Sequence, residues 1–164
     1  MPKSSTSTYP YIACDPEKCV GCQLCEYVCS YTKTGEFNTY RSRIRTVRAE
    51  EILITAIACR TCQDAPCVVA CPRDALSQDP ATGIIHIDAN LCDGCAWCVE
   101  ACDFGAISIN AETKLGEICN QCEEQEDGPQ CVKWCPKEAL QLITPEQRSQ
   151  QARRQLAIEE VLGS

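Results

Sequence analysis

Apolar and polar positions alternate in short bursts along this chain. Tyr11-Ile12-Ala13-Cys14 reads as a short strand running into Asp15-Pro16. Residues 52–58 form the best apolar stretch, with Ile52-Leu53-Ile54 strand-like; it is a strand's length, well short of the ~18 residues a bilayer span needs. Residues 84–88 have strand character and follow the turn cluster Asp79-Pro80-Ala81-Thr82-Gly83. Arg41, Arg43 and Arg45 alternate with Ser42, Ile44 and Thr46, so as a strand this segment presents a basic stripe on one face, for docking, for offsetting charge or as a plain solvated face. Near the end, Thr144-Pro145-Glu146-Gln147 is a helix start, with Thr as N-cap, Pro at the first helical position and Gln at the third. Residues 147–162 then lack Gly and Pro and are rich in good helix formers, and Leu156, Ile158, Val161 and Leu162 give an apolar patch.

Composition changes this picture sharply. The chain has 164 residues, enough for one or two domains, but only two Phe and two Trp to fill them. Against that stand 17 cysteines. The first ten residues, MPKSSTSTYP, carry no apolar signal core and no twin arginine, so a cytoplasmic, reducing location is expected, with cysteines that bind metal; disulfides are the weaker reading. A formal charge of −8 argues against nucleic acid as a partner, because phosphate neutralisation needs a basic face.

Sixteen of the cysteines fall into four groups: Cys19, Cys22, Cys25, Cys29; Cys59, Cys62, Cys67, Cys71; Cys92, Cys95, Cys98, Cys102; and Cys119, Cys122, Cys131, Cys135. The first and third read C-x2-C-x2-C-x3-C; the second and fourth lengthen the middle gap and end C-x3-C-P. Three cysteines two apart wrap a tight loop around three corners of an iron–sulfur cube, and the fourth begins to turn away into a helix toward a neighbouring cluster. Zinc takes paired CxxC halves and needs no third cysteine at that spacing. Four [4Fe–4S] clusters are therefore expected. After the fourth cysteine three groups continue into x-x-x-Ala-(Leu/Ile), at Ala75-Leu76, Ala106-Ile107 and Ala139-Leu140, whereas Cys29 is followed by Ser30-Tyr31-Thr32-Lys33.

The segment from Cys59 to Ile109 resembles a bacterial two-cluster ferredoxin, and residues 11–143 as a whole resemble the four-cluster ferredoxin-like electron-transfer subunits of molybdenum and tungsten oxidoreductases, formate dehydrogenase, carbon monoxide dehydrogenase and hydrogenase. The resemblance implies an α+β fold of two pseudo-symmetric ferredoxin-like lobes, the second (51–110) inserted into the first (11–50 and 111–143), with a C-terminal docking helix at 144–164 and a flexible N-terminus at 1–10. Crossed ligation in that family implies four sites: Cys19, Cys22, Cys25 with Cys135; Cys119, Cys122, Cys131 with Cys29; Cys59, Cys62, Cys67 with Cys102; and Cys92, Cys95, Cys98 with Cys71. The family implies a partner, a catalytic subunit bearing a tungsto- or molybdopterin site; the small subunit of tungsten-dependent aldehyde oxidoreductase complexes is the preferred match. Electrons would leave to a flavin subunit reducing NAD, a soluble ferredoxin or another copy of this chain. A freestanding carrier and a conducting filament are the alternatives.

Of the remaining residues, Cys14 is read as a buried, unreactive thiol and His86 as a strand-face histidine. Trp97 and Trp134 are read as core that shields clusters, and Tyr9, Tyr11, Tyr27, Tyr31 and Tyr40 as packing for the first lobe. Lys18, Lys33, Lys114, Lys133 and Lys137 lie near the groups and either bias cluster potentials or sit solvated. No nucleophile–base set, phosphate loop or dinucleotide fingerprint is present, so no catalytic residue is expected.

Overall fold

In the computed structural model, which describes residues 8–50 and 53–162, short strands and helices alternate. They are β1 (Tyr11–Cys14), α1 (Leu24–Thr34), β2 (Arg45–Ala49), β3 (Leu53–Ile57), α2 (Pro66–Val69), β4 (Leu76–Gln78), β5 (Ile85–Ile87), α3 (Trp97–Glu100), β6 (Ile107–Ile109), β7 (Gly116–Ile118), α4 (Gln130–Lys133), β8 (Leu140–Ile143) and α5 (Pro145–Leu162), with a 3-10 turn at Thr39–Arg41. The Ser/Thr run at 4–7, Ile52 and the side chain of Leu162 lie outside the described residues.

The strands pair into two-stranded antiparallel sheets, β1/β8, β2/β3, β4/β5 and β6/β7, so the fold mixes helices with small sheets as an α+β chain should. The β1/β8 pair sets Tyr11 opposite Ile143 and Cys14 opposite Leu140, joining the strand before the first cysteine group to the strand after the last. The β2/β3 and β6/β7 pairs straddle positions 50/51 and 110/111, so ladder hydrogen bonds hold the chain across both expected lobe boundaries. The turn between β4 and β5 forms as its composition predicts: the Asp79 carboxylate accepts the Ala81 amide at 2.7 Å, and Gly83 N–H donates to the Asp79 carbonyl at 2.8 Å.

The core is made of small aliphatic side chains, among them Ile12, Ile44, Ile85, Ile107 and Leu140, interleaved with buried cysteines. No aromatic ring is among the described buried hydrophobic residues, which corrects two expectations. Trp97 and Trp134 are 63% and 58% exposed. On the single turn of α3, burying Cys98 forces its neighbour Trp97 outward, and Trp134 occupies the C-cap of α4 where the chain turns toward Cys135. Tyr27, Tyr31 and Tyr40 are likewise exposed, Tyr40 at 88%, and Tyr31 stacks instead on Phe37 at 4.7 Å. Tyr9 and Tyr11 do pack: the Tyr9 hydroxyl donates to the Pro80 carbonyl at 3.0 Å, and the Arg60 guanidinium lies 4.7 Å above the Tyr11 ring.

The basic stripe is also corrected. Arg41 ends the 3-10 turn, Arg43 precedes the strand, and only Arg45 is within β2. Distant acids disperse the stripe: Arg41 faces Glu112 at 3.4 Å and Glu117 at 4.0 Å, and Arg45 faces buried Glu26 at 3.9 Å.

The C-terminal helix starts as predicted, through a reciprocal capping box. The Thr144 amide donates to Gln147 Oε1 at 2.8 Å and the Gln147 amide to Thr144 Oγ1 at 3.2 Å. Beyond residue 149 the helix is exposed on all sides up to Val161, and Leu156, Ile158 and Val161 face solvent. Among the described residues, no helix is long and apolar enough to cross a membrane.

Candidate metal centre

Each cysteine group repeats one local device. The residue just before the second cysteine is left-handed in all four: Gly21 (φ 65°), Thr61 (46°), Gly94 (72°) and Gln121 (56°). That conformation turns its amide back onto the first sulfur, and Thr61 N–H donates to Cys59 Sγ and Gln121 N–H to Cys119 Sγ, each at 3.4 Å. Glycine is the free choice for this backbone. At Gly94 it is also the only residue that fits, because a Cβ there would stand 2.0 Å from the Lys114 carbonyl oxygen.

A second device explains the recurring alanine. The fourth cysteine of groups two to four accepts the amide of the alanine four residues on: Ala75 to Cys71 at 3.3 Å, Ala106 to Cys102 at 3.4 Å and Ala139 to Cys135 at 3.3 Å. The residue before each alanine (Asp74, Gly105, Glu138) is left-handed and aims that amide. Group one differs because α1 runs straight through Cys29 to Thr34, which commits the Lys33 amide to the helix. Cys29 Sγ is served instead by the Arg43 amide at 3.3 Å, from beyond the excursion. The helices also correct an expectation: they do not begin at the fourth cysteine but carry the third (Cys25, Cys67, Cys98, Cys131), with Cys71, Cys102 and Cys135 just past their ends.

Tertiary packing then mixes the groups. One cavity is lined by Cys19, Cys22 and Cys25 together with Cys135. A second is lined by Cys59, Cys62 and Cys67 together with Cys102. A third is lined by Cys92, Cys95 and Cys98 together with Cys71. The remaining four are neighbours as well: α1 packs on α4, and Cys119, Cys29 and Cys122 all act electrostatically on Cys131. No three His, Cys, Asp or Glu side chains among the described residues close on one point as a single ion requires. A zinc site would need thiolates converging within about 2.3 Å of one centre, whereas a four-iron cube takes each thiolate at a separate corner.

Burial dominates the electrostatics. It pushes the Cys59 and Cys119 thiols up to about 12, and Cys25 and Cys67 up to about 11, with neighbouring cysteines adding to the rise at each site. Metal-free, these thiols stay neutral at physiological pH; a bound metal must displace their protons. Opposing cations are few. Lys33, whose side chain is 6% exposed, pairs with Glu124 and favours the Cys122 thiolate. Arg60, beside Cys59, sits between the rings of Tyr11 and Phe104 and lines the second cavity. Lys137 lines the first, and Lys133 pairs with Asp127.

Several contributors carried no sequence signal of their own. Glu26 is buried beside Cys25 and accepts the Thr46 amide at 2.6 Å, while the Thr46 hydroxyl lies 3.7 Å from Cys25 Sγ. Cys14 is half-buried, not buried, because it ends β1 beside Cys19, whose thiol burial and then Cys14 itself push up. His86 lies on β5 and faces Glu123 at 3.5 Å.

Comparison with known proteins gives concordant matches. The 4Fe-4S dicluster domain matches residues 50–144. The electron transport protein HydN of Escherichia coli strain K12 is 33% identical over 173 residues, covering 90% of this chain and 97% of that protein. The thiosulfate reductase electron transfer subunit PhsB of Salmonella typhi is 33% identical over 138 residues, covering 77% of this chain and 71% of PhsB. The beta subunit of NADH-dependent phenylglyoxylate dehydrogenase from Aromatoleum evansii is 38% identical over 140 residues, covering 83% of this chain but 30% of that subunit.

Proposed function

The chain belongs to the 4Fe-4S dicluster family of electron transport proteins, and from that premise we propose that its sixteen grouped cysteines hold four clusters in crossed sets. The sets are Cys19, Cys22, Cys25, Cys135; Cys119, Cys122, Cys131, Cys29; Cys59, Cys62, Cys67, Cys102; and Cys92, Cys95, Cys98, Cys71. The observation that carries this reading is the lining of the cavities: three cysteines of one group meet the fourth cysteine of another in each of three. When bound, each cube supplies a one-electron station whose potential the surrounding protein sets. The chain's own residues do the rest. Amides of Thr61, Ala75, Ala106, Gln121, Ala139 and Arg43 donate to ligand sulfurs and favour the reduced, more negative state. The aliphatic core around them keeps water out.

We infer two lobes, 11–50 with 111–143 and 51–110; the β1/β8 pair supports the discontinuous first lobe. The sets line up in series. Cys59 acts on Cys119, and Cys25 on Cys131, which supports the two sets containing Cys59 and Cys119 as the inner pair. Cys22 and Cys95, the two exposed cysteines, belong to the outer sets and mark where electrons enter and leave.

The role we assign is a relay without a catalytic site of its own, docked to the catalytic subunit of an oxidoreductase, one bearing a tungsto- or molybdopterin centre. A flavin subunit or soluble ferredoxin takes the other end. PhsB, named as an electron transfer subunit, supports a docked role, and the exposed run of α5 from residue 149 to Val161 supplies a helix for docking. The location we infer is the cytoplasm, a reducing compartment in which thiolate ligands persist. Anaerobic isolation of the native protein at low salt, with mass and metal analysis of whatever copurifies, tests this. A larger assembly containing tungsten or molybdenum supports the docked relay. A lone chain holding iron only, about sixteen atoms, refutes it in favour of a mobile carrier.

A further inference from the structure

The two inner sets meet where the N-terminal segment crosses them. Thr8 Oγ1 donates to Gln63 Oε1 at 2.7 Å, next to Cys62, and the Tyr9 ring covers Gly83 while its hydroxyl reaches Pro80. Pro10 then offers its carbonyl to two donors at once. Thr61 Oγ1 donates to it at 2.9 Å and Gln121 Nε2 at 2.7 Å. These are not arbitrary partners. Thr61 and Gln121 occupy the same place in their loops, the left-handed position before the second cysteine, and both are buried. Groups one and three have glycine there; here two side-chain-bearing residues hold an unfavourable backbone conformation. Each aims its amide at the first sulfur of its group, Cys59 or Cys119, and both cysteines are buried in the same core.

We propose that Thr61, Gln121 and the Pro10 carbonyl form a clasp that locks the two inner cluster loops together and sets their sulfur-directed amides, so that the reduction potentials of the two inner stations are fixed jointly. Thr61 and Gln121 are thus positioning residues. They hold the non-glycine turns, the turns aim the amides, and the amides stabilise the reduced clusters. The shared acceptor gives the clasp a signature. A carbonyl has two lone pairs, so losing one donor leaves it satisfied by the other, and losing both orphans it.

The inference rests on the ligand sets proposed above, which the iron content of the wild-type protein, about sixteen atoms, and site-resolved spectroscopy of Cys135→Ser test separately. The clasp is tested by redox titration followed by electron paramagnetic resonance on Thr61→Val, Gln121→Leu, the double variant and Thr61→Ser. Each single change is expected to lower two of the four midpoints slightly. The double change should lower the same two by more than the sum of the single shifts, with the other two midpoints unmoved, and Thr61→Ser should behave as wild type. Additive shifts, equal movement of all four midpoints, or no movement with full iron loading overturns the clasp. Should the double variant take up no iron, Gln121→Leu decides. Full loading there supports the clasp, because the two variants differ only in whether residue 61 carries the Thr61 hydroxyl or a methyl in its place; failure of both overturns it.

Discussion

Gly94→Ala and Gly21→Ala make the same chemical change at equivalent places in two cysteine loops, yet the structure assigns them different consequences. Both positions are left-handed, at φ 72° and 65°, so each alanine pays about 1–2 kcal/mol for its backbone alone. The surroundings then separate them. At Gly21 the new Cβ meets Arg48 Nη2 at 2.8 Å, the far end of a flexible side chain, and Ile54 Cγ2 at 2.9 Å, a branch methyl rather than backbone. At Gly94 it meets the Lys114 carbonyl oxygen at 2.0 Å, and the β6/β7 turn holds Lys114 from both sides: its own N–H donates to the Asn110 carbonyl at 2.9 Å, and the N–H of Leu115, in the same peptide as that carbonyl, donates to Thr113 Oγ1 at 3.4 Å. Neither side can yield, so overpacking adds about 1–3 kcal/mol. With about 2–4 °C lost per kcal/mol in a chain of this size, Gly21→Ala should lower the apparent melting midpoint of the iron-loaded protein by a few degrees. Gly94→Ala should lower it by roughly 10 °C and cost about four irons, because the turn that places Cys95 must move. The assay is anaerobic thermal unfolding beside iron and sulfide determination on both variants. Equal destabilisation, or a Gly94→Ala protein with full iron content and a near-normal midpoint, would refute the steric reasoning.

Other expectations can be checked alongside. Lys33→Met removes the cation beside Cys122 and leaves Glu124 unpaired, so one station should fall in potential by about 1 kcal/mol, roughly 40 mV for one electron; a rise, or equal shifts at all stations, contradicts the assigned role. Trp97→Gln and Trp134→Gln should change stability by less than about 0.5 kcal/mol and leave iron content intact, since both rings face solvent; loss of clusters from either would restore a shielding role. Stripping iron with a chelator under reducing conditions should abolish cooperative unfolding, because the buried thiols line the core itself; a sharp transition surviving in the iron-free protein would show an independently stable core.

Much of this was legible because the informative signals are local. The cysteine spacing and the alanine that follows three of the groups each lie within one loop and stand out in the sequence; the left-handed turns and returned amides that explain them came only with the structure. The helix start at Thr144 and the strand Tyr11–Cys14 were legible for the same reason. What escaped was decided by distant partners. Arg41 and Arg45 looked like a stripe until Glu112, Glu117 and Glu26 came to meet them. Trp97 and Trp134 were misjudged because one-turn helices around cysteines leave no room inside for a large ring. Nothing near Pro10 in sequence hints that its carbonyl joins two loops 51 and 111 residues away.

The central claim, that the sets cross between the groups, is tested most directly by Cys135→Ser with site-resolved spectroscopy of the anaerobic protein. Cys135 lies in the fourth group by sequence but lines the cavity of Cys19, Cys22 and Cys25. The account predicts an altered or lost signal from the cluster of those three cysteines, with that of Cys119, Cys122 and Cys131 intact. Damage to the latter with the former unchanged would contradict it.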